Sequence, residues 1–190
     1  TIDKKLGRRS TWAASHTNIG LCYEALGEFE QALVQFKAAL ELDTKIGKQA
    51  AIARDLSHIG LIYFNWGQFD AALDNFKQAM AIATKLNLKA KIALNLNNIG
   101  SVLRERGHYD QALAHFKKAL EIDRAIGRTG ETANDYNNIG LAYLSLNQHE
   151  KALENFGAAL EIDKKLGRQG NMSRDYNNLG MIADAIGQYK

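Results

Sequence analysis

An isoleucine–glycine pair returns every forty residues along this chain. It stands at 19–20, 59–60, 99–100 and 139–140, and Leu179–Gly180 is the fifth instance. Self-similarity at a fixed period restricts a chain to repeat architectures, because each unit buries its apolar face only against its neighbours. Full units fit at 8–47, 48–87, 88–127 and 128–167, with a partial one at 168–190. Residues 1–7, TIDKKLG, match the unit ends ELDTKIG, EIDRAIG and EIDKKLG. They are expected to close the second helix of a preceding unit. Residues 187–190, GQYK, match GEFE, GQFD and GHYD, where a second helix begins. Residues 1–190 therefore read as one array taken from a longer protein.

Each unit predicts two amphipathic helices. Tyr136, Ile139, Gly140 and Tyr143 follow i, i+3, i+4, i+7 spacing, one stripe of a helix. His149, Ala152, Leu153, Phe156, Ala159 and Leu160 form the stripe of the next. Gly27, Gly67, Gly107 and Gly187 mark the turn inside a unit, and Gly47, Asn87, Gly127 and Gly167 mark its end. Glycine and asparagine are the residue types that tolerate the left-handed turn after a helix. Proline is absent, where average usage would supply about nine or ten; this agrees with helix throughout.

A glycine inside a helix costs about 1 kcal/mol against alanine. Five in register imply a packing role. Ala32, Ala72, Ala112 and Ala152 recur in the second helices. The expectation is that each glycine faces such an alanine, letting two helix backbones approach, with the isoleucine beside it in the core. A phosphate-cradling glycine is disfavoured, since it would open a helix after a strand and no strand pattern is present.

These residues resemble the tetratricopeptide repeat. Its large–Leu–Gly–Tyr pattern matches Tyr136, Ile139, Gly140 and Tyr143, and its Ala–Phe–Ala pattern matches Ala152, Phe156 and Ala159. The usual repeat has about 34 residues and ends in proline; here it has 40 and no proline. The longer form is similar to the repeats of peptide-binding spindle-orientation scaffolds and of bacterial regulatory proteins. Leu103 and Ala183 replace the tyrosine, and His149 replaces the aromatic of the turn. The resemblance implies an all-α, right-handed α-solenoid of stacked antiparallel helix pairs. First helices would line a concave groove and second helices the convex outside.

The first helices carry an unusual face opposite their core stripe. It holds Asn18 and Leu21, then Arg54, His58 and Leu61, then Asn97, Asn98 and Arg104. Further along come Asn137, Asn138 and Leu141, then Arg174, Asn177, Asn178 and Met181. The outward face of a second helix, by contrast, reads Gln111, His115, Lys118, Glu121, an ordinary solvated surface. An asparagine amide both donates and accepts, so it can pair with peptide backbone whatever the partner's side chains. The favoured reading is a ladder of Asn18, Asn98, Asn138 and Asn178 holding an extended peptide. Leu21, Leu61, Leu141 and Met181 would give apolar contacts, and Arg54, Arg104 and Arg174 would meet acidic groups of the partner. The family's ligand-contacting positions agree with this. The competing reading is that the amides bond to neighbouring helices and shape the array.

Acidic residues open the second helices (Glu30, Asp70, Asp110, Glu150) and basic ones close them (Lys45, Lys85, Arg124, Lys164, Lys165), complementing the helix dipoles. Arg8, Arg9, Lys48, Lys89, Arg128 and Arg168 follow in the turns. A net charge of +3 is too mild to point to nucleic acid. The histidines lack metal-binding spacing; His16 lies on a core stripe, and His58 could titrate against a bound carboxylate. The single cysteine, Cys22, reads as a small packed residue and suits a reducing, cytoplasmic compartment. No apolar run is long enough for a membrane span. Nothing resembles a nucleophile motif, a paired-carboxylate cleft or a cofactor loop, so neither catalysis nor a cofactor is expected. Two function classes remain. One is a peptide-binding interaction module of a larger scaffold or regulator. The other is a self-assembly or intramolecular regulatory array attached to an effector domain elsewhere in the parent chain. In the second, core residues such as Tyr176, Leu179 and Ile182, exposed at the end of the array, would allow end-to-end association.

Overall fold

The computed structural model describes residues 2–185 and 187 of the chain. Among these it has nine helices and no strand: α1 (Ile2–Ala25), α2 (Phe29–Ile46), α3 (Gln49–Asn65), α4 (Phe69–Lys85), α5 (Lys89–Glu105), α6 (Tyr109–Ala125), α7 (Thr129–Ser145), α8 (His149–Leu166) and α9 (Gln169–Ala185). Two compact units divide the chain, residues 1–95 and 96–190, and the division falls inside α5. In the first unit α1 packs on α2, α2 on α3 and α3 on α4. In the second α6 packs on α7, α7 on α8 and α8 on α9.

Every helix junction has the same backbone solution. Gly27, Gly47, Gly67, Gly107, Gly127 and Gly167 all have φ between +66° and +79°, and Asn87 and Asn147 take their place at φ 51° and 55°. The next amide then reaches five residues back, as Glu28 N to Tyr23 O at 2.9 Å and Arg128 N to Asp123 O at 2.9 Å. This is the Schellman arrangement, which satisfies carbonyls the helix end would otherwise leave open. One expectation differs. α1 runs from Ile2 through Gly7 without a turn. Glycine permits a left-handed turn but does not impose one, and helix hydrogen bonds outweigh its cost of about 1 kcal/mol.

The isoleucine–glycine pair serves two interfaces. Ile59 packs backwards against Ala32 and Phe36 of the preceding second helix, and Ile139 against Ala112, Leu113 and Phe116. The glycine faces its own repeat's second helix. A Cβ on Gly20, Gly60, Gly100 or Gly140 would lie 2.5–2.7 Å from a ring carbon of Phe36, Phe76, Phe116 or Phe156. The expected alanine is therefore corrected to phenylalanine. All four rings are fully buried, and the planar face of a ring needs the space a side chain would take.

Burial changes where no preceding second helix covers α1. Ile62, Val102 and Ala142 are fully buried, but Cys22 at the same register is exposed, which corrects its reading as a packed residue. Ile19 is 45% exposed against 3% for Ile59. His16 is half-buried, with Nδ1 2.7 Å from Gln35 Oε1 on α2. Ile182, expected at an open end, is fully buried on Ala152 and Phe156; Leu179 is half-buried, and Tyr176 is 52% exposed. α9 turns the Ile182 side onto α8, and that contact covers it.

Candidate functional site

The first helices are joined by a side-chain hydrogen bond repeated in register. Thr17 Oγ1 donates to Asp55 Oδ1 (3.3 Å), and Ser57 Oγ to Asn95 Oδ1 (3.0 Å). Asn97 Nδ2 donates to Asp135 Oδ1 (2.5 Å), and Asn137 Nδ2 to Asp175 Oδ1 (2.5 Å). The separation is 38 residues each time, one unit less two. All four acceptors are essentially inaccessible to solvent. A buried carboxylate requires donors, and a small hydroxyl or amide on the neighbouring first helix supplies one.

The second amide of two Asn-Asn pairs extends the chain, while Asn98 Nδ2 has no hydrogen-bond partner among the described residues. Asn178 Nδ2 donates to Asn137 Oδ1 at 2.8 Å, and Asn138 Nδ2 to Asn97 Oδ1 at a long 3.4 Å. Asn137 and Asn178 are buried, while Asn97, Asn98 and Asn138 are half-buried. The ladder is thereby corrected at Asn138 and Asn178, and the groove assignment at Asn97 and Asn137. These amides donate to neighbouring helices, the alternative weighed from sequence: Asn97 and Asn137 to buried carboxylates, Asn138 and Asn178 to the amide oxygens of Asn97 and Asn137. Asn18 and Asn177 are exposed.

The charged residues are likewise redirected. Arg54 donates to Asp55 Oδ1 at 2.8 Å and Thr17 Oγ1 at 2.9 Å, and reaches Asp43 Oδ2 at 3.4 Å. Its guanidinium neutralises buried carboxylates and is not an open receptor for a partner's. Arg104 lies against Glu105 at 2.7 Å. Arg174 is the most open, with Nε 3.7 Å from Asp175 Oδ1 and Nη2 donating to Asn134 Oδ1 at 3.3 Å. In the turns, Arg128 reaches buried Asp123 at 3.1 Å and Arg168 reaches buried Asp163 at 3.1 Å. Those arginines clamp a helix end.

His58 lies flat on Phe36, with ring centroids 4.8 Å apart and planes 11° from parallel. Burial, then the charges of Arg54 and Lys91, lower its pKa to about 4. It is neutral near pH 7, which corrects the expectation that it titrates against a ligand. Burial acts oppositely on the acids. It raises Asp55 to about 6 against the Arg54 hydrogen bond, and Asp135 to about 7 against that from Asn97. Asp123 and Asp163 are raised by burial as well, opposed by Arg128 and Arg168. These aspartates escaped the sequence reading. The signal was present, since Asp55, Asp135 and Asp175, and Asp43, Asp123 and Asp163, recur in register among apolar positions.

What stays open on the first-helix face differs by unit. The first unit offers Asn18 and Leu21 (40% exposed), with Leu61 half-buried. The second offers Arg174, Asn177 and Met181 (49% exposed). Leu141 is half-buried and packs on the Phe156 cluster. No described helix is long and apolar enough to cross a membrane.

Paired helices in register, a glycine seated under a ring and Schellman turns at every junction define an all-α helical-repeat protein. Residues 12–85 and 91–165 match the tetratricopeptide repeat family, and the chain belongs to it. Repeats of this family are generally protein–protein interaction modules, and this repeat array is an interaction scaffold. No curated protein matches the sequence. The fold is similar to a Rap protein complexed with competence and sporulation factor, with TM-score 0.83 and 23% identity over 92% of this chain and 49% of that one. It is also similar to aspartyl phosphate phosphatase F from Bacillus subtilis, with TM-score 0.84 and 17% identity over 95% and 49%. The third is a putative kinesin light chain from Podosopora anserina with nearly identical TPR-like repeats, with TM-score 0.75 and 16% identity over 95% and 89%. The chain thus spans about half the length of the first two.

Proposed function

We propose that the first-helix face of each unit receives an extended segment of a partner polypeptide. The observation that carries this reading is the make-up of that face inside the array, where Leu61 and Leu141 stay partly open in register with the half-buried amides of Asn98 and Asn138. A face meant only for water would carry charge there. Apolar anchors beside amides suit a peptide, whose backbone needs donors and acceptors at each step. Arg174, only loosely tied to Asp175, favours an acidic residue in the partner. The Rap protein in the complex with competence and sporulation factor offers a parallel in fold.

The test is a panel of acidic and neutral peptides titrated against the protein and the Asn177→Ala/Met181→Ala variant. Both residues are exposed, so melting should move little while affinity falls about tenfold or more. Unchanged affinity, or unfolding of the variant, rejects the reading. A second reading, self-association, is favoured by a different observation. Trp12 (58% exposed) and Ile19 (45%) lie open on α1, and Leu26 (72%) on the turn that follows it.

A further inference from the structure

On the second-helix side of the second unit, α6, α7 and α8 enclose a cleft of about 450 Å³. Leu120 and Ile139 form its apolar wall, Tyr143 its floor, and Lys117, Lys151 and Asn155 its polar rim. Both ammonium groups approach the same ring. Lys117 Nζ and Lys151 Nζ each lie 5.4 Å from the Tyr143 ring centroid. Lys151 Nζ also donates to Gln148 Oε1 at 2.7 Å. Among the described residues neither lysine forms an ion pair within 4.0 Å. The ring attracts each cation, but the two cations repel each other, and an anion between them would relieve that repulsion.

The repeat itself shows that the fold does not require this arrangement. The lysine of the first position recurs as Lys37, Lys77 and Lys117, and the ring recurs as Tyr23, Tyr63 and Tyr143. Lys37 Nζ lies 5.9 Å from the Tyr63 ring, half of the same cluster. The second lysine occurs once: its register holds Gln31, Ala71 and Gln111 before Lys151. One hairpin departs from its own pattern by adding a positive charge beside an existing one. Glu154 also lines the cleft, so a singly charged carboxylate suits it better than a phosphate.

We propose that this cleft is a second docking site, taking a glutamate or aspartate side chain of a partner polypeptide between Lys117 and Lys151 above Tyr143. None of these residues belongs to the exposed first-helix face, so this site and the reading above stand or fall separately. The probe is a blocked peptide with two glutamates, its glutamine counterpart as control, followed through the Tyr143 ring signals by NMR at low salt. The glutamate peptide is expected to shift them saturably, and the glutamine peptide to leave them unmoved. Lys117→Gln/Lys151→Gln, both at exposed sites, should weaken binding about tenfold, as two partly screened charge pairs would. High salt should act in the same direction. The proposal is overturned by a flat titration, by an equal response to the glutamine peptide, by unchanged affinity in the double variant, or by a larger response to inorganic phosphate.

Discussion

Asn137 and Asn177 share a residue type and a place in the repeat, but the acceptor 38 residues on is Asp175 for Asn137 and falls beyond residue 190 for Asn177. Asn137 is buried and donates to the carboxylate of Asp175; Asn177 is exposed. Asn137→Ala should therefore cost about 1–3 kcal/mol, because Asp175 loses its donor while remaining buried. Asn177→Ala should stay within about 0.5 kcal/mol of the parent. Urea denaturation of the two variants separates them. Asp135 sets a second expectation. Burial raises its folded pKa to about 7 from an ordinary 3.8. A raised pKa contributes stability that is fully present below about pH 4 and is lost as pH rises through 7. Asp135→Asn keeps an acceptor for Asn97 and removes the buried charge, and Asn95 already fills this register one repeat earlier. The variant should gain about 1–3 kcal/mol over the parent at pH 8 and little at pH 4. Equal differences at the two pH values would remove Asp135 from the account.

At the level of helices, the hairpin rests on a ring lying where a side chain is missing. Gly140→Ala gains about 1 kcal/mol of helix propensity. Its Cβ, however, would sit 2.6 Å from Phe156, a ring with no exposed surface to yield into. Overpacking of about 1–3 kcal/mol outweighs the gain, so the expected result is a lower melting temperature. A higher one would show that the ring moves freely. The helices themselves were legible in the sequence, because helix periodicity and turn glycines are local signals. Their partners were less so. Alanine was expected opposite the glycine, since small residues recur in register there, whereas contact is set by where the side chains point once two helices cross. The aspartate acceptors of the inter-helix hydrogen bonds were missed for the same reason: residues 38 apart meet only after both hairpins have formed.

For the whole molecule, Ile19 is exposed on α1 at the register where Ile59 and Ile139 pack on a preceding second helix, so this face is one on which another helix pair can seat. Light scattering over a concentration series should show association, and Ile19→Glu should abolish it while leaving the helical content intact. A monomer at all concentrations would leave the peptide-binding reading as the sole account of partner choice. The sequence by itself determined the period, the helix pairs, the left-handed turns and the tetratricopeptide family, because these rest on spacing along one chain. Only the tertiary structure decided which asparagines are committed and which are open, which arginines are already neutralised, and why His58 stays uncharged. Each of those depends on burial and on neighbours distant in sequence, and burial sets both the cost of an unpaired polar group and the pKa of a charged one.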